Sequence, residues 1–410
     1  MRLQRIINSL LETDMYKFSM GQAIFHQFPS YMTMWDFKCR NKGVKFTQEM
    51  VEEIRSQIKA YCELSFNEDE LAYLKKIEWI KRDYVDYLRL WHPRFEEFTI
   101  RATDKGCGLE IETFGTWANT SFYEIPTLAI VNEVYFRMAH NYDELLKSFK
   151  SRADKKVAAL VDGTWTLGGF SEFGMRRRLS AEAQEYAVQK IVDAQNAGGF
   201  KESNFVGTSN VLLAKKMGVK PIGTMAHEFV QCVGQGDRKR NPAYSNWFML
   251  EACVKEYGVL NGIALTDTVG TEVFLRDFRK TYATLFSGVR HDSGDPYAWG
   301  ERMIEHYKSL GIDPKTKSLM FSDSLDFERA TAIYKHFKDN ARVAFGIGTY
   351  LANDTDVEPL NIVMKVTECN DGPVAKLSDV EGKNMCKDPA YIDYLTRAIN
   401  WRLEHKELDF

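Results

Sequence analysis

The chain is short of the residues and segments that mark several classes of protein. Its seven cysteines are scattered over 410 residues without a C-x-x-C pair, which argues against a disulfide framework or a structural zinc site and favours reduced thiols in the cytoplasm. No apolar run approaches the roughly 18 residues that a membrane span needs. Residues 1–10 carry two arginines but no long apolar core or small-residue cleavage site, so we expect them to belong to the mature protein rather than to a targeting peptide.

The chain also has a small net charge and few histidines. The formal net charge is −3, so there is no global basic field of the kind that predicts nucleic-acid binding. The eight histidines include no H-x-H pair, which disfavours a zinc barrel with clustered histidine ligands. No G-x-G-x-x-G follows the first strand of a βαβ unit, which disfavours a dinucleotide-binding protein.

The composition that remains is that of a globular protein. Hydrophobic residues make up 44% of the chain and charged residues 27%, ordinary values for a protein with a substantial core. The first 125 residues or so combine short helical pieces with two alternating segments, residues 98–102 and 109–113, that have the period of half-buried strands. We therefore predict an α+β region here.

From about residue 165 one pattern recurs seven times. An apolar stretch ends in Gly, Ser, Thr or Asp and is followed by an amphipathic helix, which predicts parallel βαβ units. Because the polar residues all follow the strands, a closed α/β barrel with its site at the carboxyl ends of the strands is favoured over an open doubly wound sheet. Uneven spacing makes the predicted barrel irregular. The apolar stretches are residues 166–170, 205–206, 219–222, 262–265, 285–289, 318–321 and 343–345.

The pattern also predicts two domains. The last 45 residues return to a mixed pattern, with strand-like segments at 362–366 and 374–377. We predict an irregular α/β barrel over residues 126–365. A smaller α+β domain would comprise residues 1–125 together with about 366–410.

One histidine lies where a predicted strand meets a predicted helix, in the segment GTMAHE at residues 223–228. Helix N-termini hold anions, so His227 has three candidate roles: general base, phosphoryl acceptor and metal ligand. Without companion histidines the metal role is disfavoured, while a structural histidine bonded to loop backbone remains an alternative. Asp267 ends another predicted strand and could hold one ring nitrogen, leaving the other nucleophilic.

Further polar clusters at strand ends suit anionic ligands. The segment RHDSGD at 290–295 offers Arg290, whose fork suits a carboxylate or phosphate, and Asp292, which could take sugar hydroxyls or lie near Mg²⁺. Asp295 and Pro296 are expected simply to begin a helix. The glycines of GIGT at 346–349 could turn backbone N–H groups toward a phosphate, although glycines at strand ends are often only turns.

Two segments are ambiguous by composition. In RRR at 176–178 the three side chains point in different directions, so at most two could serve one anion, and a solvated face is an equal alternative. In TDMYK at 13–17 the composition favours a structural helix start, although Tyr16 could stack on a flat ring. Together these clusters predict a site for a phosphorylated sugar and an aromatic acid.

The motifs closely resemble one family, the nicotinate phosphoribosyltransferases in their bacterial form. Six segments occur in the family's order and span nearly the whole chain, and the set is far more specific than any one of them. They are LETDMYK at 11–17, FGMRRR at 173–178, GTSNV at 207–211, GTMAHE at 223–228, RHDSGD at 290–295 and GIGT at 346–349.

The resemblance implies a fold, a reaction and a set of residue roles. The fold would be a barrel of the type II phosphoribosyltransferase kind. Nicotinate and phosphoribosyl pyrophosphate would give nicotinate mononucleotide and pyrophosphate in NAD salvage, with Mg²⁺ as cofactor and ATP as co-substrate. Members are usually cytoplasmic homodimers with shared active sites, without membrane or nucleic-acid partners. The resemblance assigns the phosphohistidine to His227, nicotinate contacts to Tyr16, Thr224 and Arg290, ring and anion contacts to Phe173 and Arg176, ribose to Asp292, and the phosphoribosyl phosphate to Thr349 beside Gly346 and Gly348.

Three rival functions are weighed against this one. Nicotinamide or quinolinate could be the base, since Arg290 favours an acid but does not alone exclude the amide. A phosphosugar aldolase or isomerase on a similar barrel would need a buried lysine or an enediol base, and Lys365 on a predicted strand is the one hint of it. A non-catalytic nucleotide-binding protein is the third.

Overall fold

The chain builds two β-sheets of different kinds, flanked by helices. The computed structural model describes residues 3–103, 106–260, 262–377 and 386–405. The strands are β1 (Met32–Cys39), β2 (Phe98–Thr103), β3 (Gly108–Thr116), β4 (Gly168–Glu172), β5 (Ser203–Thr208), β6 (Lys220–Pro221), β7 (Ile263–Leu265), β8 (Gly288–His291), β9 (Ser318–Phe321), β10 (Arg342–Ile347), β11 (Ile362–Cys369) and β12 (Gly372–Pro373).

The helices precede, separate and follow these strands. They are α1 (Met15–Gln27), α2 (Gln48–Cys62), α3 (Glu68–Leu74), α4 (Arg82–Leu90), α5 (Trp117–Thr120), α6 (Glu124–Ala139), α7 (Tyr142–Asp162), α8 (Ala181–Asn196), α9 (Val211–Met217), α10 (His227–Gln235), α11 (Ser245–Tyr257), α12 (Thr271–Asp277), α13 (Lys280–Leu285), α14 (Pro296–Ser309), α15 (Phe327–Phe337), α16 (Thr349–Ala352) and α17 (Pro389–Glu404).

The first sheet is antiparallel and joins the two ends of the chain. Its order is β12-β11-β1-β3-β2, so the late strand β11 pairs directly with β1, Cys39 opposite Ile362. β11, which begins at Ile362, therefore lies beside an N-terminal strand. The predicted domain bounds stay a prediction, and residues 378–385 and 406–410 of the predicted C-terminal part lie outside the described residues. The predicted strand at 374–377 is wrong, because the short partner of β11 is Gly372–Pro373 instead.

The second sheet is parallel and has the order β6-β5-β4-β10-β9-β8-β7. Pairing of the last strand, β10, with the first, β4, curls the sheet round as a barrel requires. Within the described residues the ladder is interrupted only between β6 and β7, where β6 has two residues and Pro221 lacks an N–H to donate. The predicted irregular α/β barrel is confirmed, in the form of a curled half-barrel.

A side chain partly bridges that interruption. Thr224, just beyond β6, donates its hydroxyl to the carbonyl oxygen of Ile263 on β7 at 2.7 Å. Gly262 leaves room for this contact, since a Cβ there would lie 2.3 Å from the Thr224 methyl carbon. The two edges of the half-barrel are therefore held together by Thr224.

Polar residues at the strand ends also begin the helices. Asn210, Asp295 and Asp326 accept hydrogen bonds from the first N–H groups of α9, α14 and α15 and so satisfy donors that a helix start leaves open. Asp295 and Pro296 therefore have the capping role that the sequence predicted. Buried aromatic and aliphatic side chains such as Phe170, Phe321 and Phe345 fill the barrel.

Candidate active site

The carboxyl ends of the parallel strands surround a cavity of about 740 Å³. Helix α1, α6 and β11 complete its wall, so the antiparallel region contributes to it as well. Among the residues predicted for the site, those that line the cavity are Tyr16, Phe173, Arg176, His227, Arg290, Asp292, Gly346, Gly348 and Thr349. Thr224 and Asp267 lie behind this lining.

His227 is the first residue of α10 and is buried. Its Nε2 atom lies 3.0 Å from Asp267 Oδ1 and 3.5 Å from Asp292 Oδ2. The predicted contact between Asp267 and the ring is thus present. Lys376 Nζ lies 2.8 Å from the same nitrogen and 2.8 Å from Asp267 Oδ2. We call His227, Asp267, Asp292, Ser293 and Lys376 the His227 corner.

Burial and the Lys376 charge lower the pKa of His227 to about 4, against the opposing effect of Asp267 and Asp292. The ring is therefore neutral at physiological pH, as a nucleophile requires. Burial would raise the pKa of Asp267, but the contacts with His227 and Lys376 lower it well below its usual range. Ser293 also donates its hydroxyl to Asp267 Oδ2 at 2.6 Å, so this carboxylate is ionised and held on several sides.

Arg290 extends from β8 toward the loop before His227. Its Nη1 donates to the carbonyl oxygen of Met225 at 3.0 Å. Its Nε is buried and has no hydrogen-bond acceptor among the described residues. A buried donor without a partner is costly, and a bound carboxylate or phosphate would satisfy it. The sequence prediction of an anion-binding arginine agrees with this geometry.

Four cations contribute to the lining of the cavity: Arg40, Arg176, Arg177 and Lys365, here called the cationic wall. Glu124 Oε1 lies 3.9 Å from both Arg176 and Lys365, and the Asp292 carboxylate acts on both cations from a greater distance. Burial lowers the pKa of Lys365 to about 8. Burial followed by the charges of Arg176 and Arg40 lowers the pKa of Arg177 to about 9. Arg176, Arg177 and Lys365 are thus cations close to one another, and a polyanionic ligand would stabilise their charged forms.

A buried ion pair behind the wall connects it with the His227 corner. Lys17 has no exposed side-chain surface, and its Nζ lies 2.8 Å from Glu124 Oε2 and 2.7 Å from Glu228 Oε2. Burial opposes ionisation of Glu124, yet the charges of Lys17, Lys365 and Arg176 lower its pKa to about 2. Glu228 follows His227 on α10, so Lys17 fixes this helix relative to the wall.

A second buried carboxylate shapes the turn after β4. Glu172 accepts hydrogen bonds from Thr208 Oγ1 at 2.6 Å and from the Gly174 N–H at 2.5 Å, and burial raises its pKa to about 7. The turn carries Phe173 into the cavity. Gly348 is needed beside it, because a Cβ there would lie 3.1 Å from the Phe173 carbonyl oxygen. Gly348 therefore has a packing role whether or not it also contacts a phosphate.

The N-terminal motif meets the barrel at the start of α1. Ser209 donates its hydroxyl to Asp14 Oδ1 at 2.6 Å, and the Met15 N–H donates to the Ser209 carbonyl oxygen at 2.8 Å. Asp14 is thus a structural helix start, as its composition predicted. Tyr16, two residues later, lines the cavity.

Other residues singled out by the sequence have structural positions. Arg178 is buried and pairs with Glu12 Oε2 at 2.8 Å, so Arg176 and Arg177 are the two of the RRR run that line the cavity. The ring of His291 packs against Trp299 and Phe321, at centroid distances of 5.3 and 5.8 Å, and is not part of the lining.

Several charged lining residues were not predicted for the site or were given other roles. Arg40 and Glu124 lie in segments without a recognisable motif, and the sequence predicts Lys376 on a strand of the smaller domain. Lys365 was considered only as a hint of an aldolase. Their partners are distant in the chain, as for Lys376 and His227, which are 149 positions apart, so no local pattern could have found them.

The cavity also has the oxygen donors that Mg²⁺ prefers. Away from the His227 corner its lining includes the carboxylates of Asp323, Asp326, Asp354 and Glu358. His227, Asp267 and Asp292 also place three ligand atoms within 4.8 Å of one another. The Lys376 ammonium already contacts that set, and imidazole is not a usual Mg²⁺ ligand. No other three such ligand atoms of the described residues lie this close together, so the Mg²⁺ ligands are left unassigned.

The fold and the cavity are together typical of α/β-barrel enzymes, whose sites lie at the carboxyl ends of the strands. The charged residues of this cavity suit anionic ligands. A profile of the nicotinate phosphoribosyltransferase (NAPRTase) family matches residues 169–402, and one of the N-terminal domain of that family matches residues 11–132. The chain belongs to the nicotinate phosphoribosyltransferase family.

Individual relatives agree over nearly the full length. A nicotinate phosphoribosyltransferase of Cupriavidus necator is 45% identical over 400 residues, which cover 96% of this chain and 98% of the relative. A solved nicotinate phosphoribosyltransferase of Vibrio cholerae has a TM-score of 0.88 at 33% identity and covers 97% of this chain and 95% of its own. That of Porphyromonas gingivalis has a TM-score of 0.87 at 35% identity, with coverage of 96% and 100%. None of the described helices is long and apolar enough to span a membrane.

Proposed function

We propose that this chain joins nicotinate to phosphoribosyl pyrophosphate, giving nicotinate mononucleotide and pyrophosphate in NAD salvage. The observation that carries the proposal is Arg290 in the lining of the cavity, its buried Nε without an acceptor among the described residues, together with the cationic wall in the same lining. Arg290 suits a carboxylate, and the several cations of the wall suit phosphates. Tyr16 and Phe173 in the same lining offer rings for the aromatic base.

The reaction follows from this division of charge. The pyridine nitrogen of nicotinate forms a bond to the anomeric carbon of ribose while the bond from that carbon to the pyrophosphate oxygen breaks. Positive charge develops on the sugar, and negative charge develops on the leaving group. Arg176, Arg177 and Lys365 would stabilise the departing pyrophosphate, and Asp292 would hold ribose hydroxyls. Mg²⁺, bound by carboxylates of the lining, would supply further neutralisation of the phosphates.

We also propose that ATP hydrolysis is coupled to the transfer through phosphorylation of His227. The neutral ring, the adjoining carboxylates and the Lys376 ammonium support a nucleophilic role. In the step, a ring nitrogen bonds to the terminal phosphorus of ATP and the bond to the ADP oxygen breaks. Lys17 connects α10 with Glu124, which lies 3.9 Å from Arg176 and Lys365 of the cationic wall, so added negative charge at His227 would alter the affinity of the wall for its ligand.

A homodimer with shared active sites is proposed as well, in the cytoplasm and without nucleic-acid partners. Large apolar side chains are exposed close together in sequence at Trp247, Val259 and Leu260, which is typical of a surface covered by another chain. Sedimentation equilibrium should give twice the chain mass, and a monomer at micromolar concentration would contradict the proposal.

The decisive experiment is an assay of pyrophosphate release with nicotinate, nicotinamide and quinolinate, each with and without ATP. We expect turnover with nicotinate alone, stimulated by ATP. Turnover with nicotinamide at a similar kcat/KM would contradict the role of Arg290, and release without any base would point to a hydrolase.

A variant of His227 distinguishes phosphoribosyl transfer from its stimulation by ATP. His227→Ala should keep ATP-independent transfer but lose ATP stimulation, because the phosphoryl acceptor is gone while Arg290 and the cationic wall remain. Full ATP stimulation in this variant would exclude the phosphohistidine.

A further inference from the structure

Two groups with opposite demands contact one nitrogen of His227. Nε2 lies 2.8 Å from Lys376 Nζ, which can only donate, and 3.0 Å from Asp267 Oδ1, which can only accept. A neutral imidazole nitrogen carries either a proton or a lone pair, so it can satisfy only one of them at a time. The proton is on Nε2 when Asp267 is the partner and on Nδ1 when Lys376 is the partner.

Asp267 accepts hydrogen bonds from groups other than the His227 ring. Lys376 Nζ lies 2.8 Å from Asp267 Oδ2, and Ser293 donates to the same oxygen at 2.6 Å. The carboxylate thus already has two donors, one of them charged. Among the described residues, Lys376 has no hydrogen-bond acceptor recorded other than His227 Nε2 and Asp267, and its side chain is mostly buried.

The backbone around Lys376 is fixed on both sides. Gln235, at the end of the helix that His227 begins, donates to the Ala375 carbonyl oxygen at 3.0 Å and accepts from the Ala375 N–H at 2.7 Å. The Leu377 N–H donates to the Thr268 carbonyl oxygen at 2.9 Å, next to Asp267. The segment is therefore tied both to the helix of His227 and to the loop of Asp267, and Lys376 is held between them.

We propose that Lys376 is a positioning residue that selects the tautomer of His227, keeping the proton on Nδ1 and the lone pair on Nε2. Its value for the reaction rests on the proposed phosphorylation of His227, because a ring nitrogen with a lone pair can bond to phosphorus without first losing a proton. Without Lys376, Nε2 carries the proton and donates a hydrogen bond to Asp267, and the lone pair is on Nδ1.

Nitrogen NMR of the full-length protein labelled with ¹⁵N-histidine tests the tautomer without any reaction. The His227 resonances are identified by their loss in His227→Gln. We expect Nε2 of the unmodified protein to have the shift of an unprotonated ring nitrogen, and Nδ1 that of a protonated one. A protonated Nε2 in the unmodified protein would overturn the proposal, and this reading needs no Lys376 variant to fold.

Variants at the position add a second test. In Lys376→Met the two shifts should exchange, while Lys376→Arg should keep the original pattern because it retains a charged donor. Lys190→Met removes an exposed lysine that pairs with Asp154 at the surface and should change neither shift. The same tautomer in Lys376→Met as in the unmodified protein would overturn the proposal.

Labelling with ATP that carries a radioactive terminal phosphate connects the tautomer with the reaction. Lys376→Met should form about tenfold less phosphoenzyme, the change that ~1.4 kcal/mol produces, whereas Lys376→Arg should restore most of it. If the unmodified protein takes up no label, the proposed phosphohistidine fails while the NMR result on the tautomer stands by itself. Equal labelling of Lys376→Met would overturn the role of the tautomer.

Discussion

The His227 corner and the cationic wall lie in the same cavity but treat charge in opposite ways. In the corner, the Lys376 ammonium, the Asp267 carboxylate and the His227 ring lie within 3.0 Å of one another. In the wall, Arg176 and Lys365 share one carboxylate at 3.9 Å. Charges paired at hydrogen-bond distance hold one another in place, whereas cations close to one another and farther from a carboxylate favour an anionic ligand.

The same contrast separates two members of one arginine run. Arg178 is buried against Glu12 at 2.8 Å, while the side chain of Arg176 is 39% exposed beside the cavity. Identical side chains two positions apart thus have a buried, paired position and a partly exposed position beside the cavity. The predictions below test whether the distinction between paired and ligand-directed charges holds.

The largest effect is expected on the free energy of unfolding when Arg178 is replaced. Arg178→Met leaves Glu12 buried without its partner, which should lower the free energy of unfolding by about 3–5 kcal/mol. Arg176→Met removes the same charge at a half-exposed site and should change it by less than about 1 kcal/mol while weakening phosphoribosyl pyrophosphate binding. Denaturant unfolding measures both, and equal losses in the two variants would contradict the distinction.

Arg290→Ala should chiefly affect nicotinate. Loss of a charged hydrogen bond to its carboxylate costs about 1.5–3 kcal/mol, so the KM for nicotinate should rise by about 10- to 100-fold. Steady-state kinetics at saturating phosphoribosyl pyrophosphate give this value. Arg302→Ala, which breaks a surface pair with Glu272, serves as the control. An unchanged KM in Arg290→Ala would exclude a carboxylate contact.

The His227 corner should make the free energy of unfolding depend on pH in the acidic range. The pKa of His227 is about 4 in the folded chain and about 6.5 when unfolded, so the unfolded state binds more protons between these values. Stability should therefore fall as pH decreases from 6.5 to about 4, by about 1.4 kcal/mol per pH unit. Comparing His227→Gln with the unmodified protein isolates this slope, and an identical pH dependence in both would contradict the lowered pKa.

The smallest effect is expected at Thr224, which the resemblance assigned to nicotinate and the structure places behind the lining. Thr224→Val removes the hydroxyl that reaches Ile263 across the gap in the sheet and should cost about 1 kcal/mol of stability. Thr224→Ser keeps that hydroxyl and should restore it. A raised KM for nicotinate without loss of stability would favour the direct ligand contact instead.

Much of the barrel could be predicted because its signals are local. The alternation of apolar stretches with amphipathic helices predicted the parallel strands, and Asp295 with Pro296 predicted the start of α14. Where the prediction failed, the deciding contacts were distant. Residues 374–377 have the composition of a strand but are held by Gln235 and Thr268 instead, partners that no local pattern specifies.

The sequence by itself determined the family, the parallel sheet and nine of the residues that line the cavity, because motif order and periodicity are properties of neighbouring residues. Only the tertiary structure decided which charges are paired. It separated Arg178 from Arg176, left Arg290 Nε without an acceptor among the described residues, and brought Lys376 to His227. Burial and distances of a few ångströms set the energy of a charge, and both arise only when segments far apart in the chain come together.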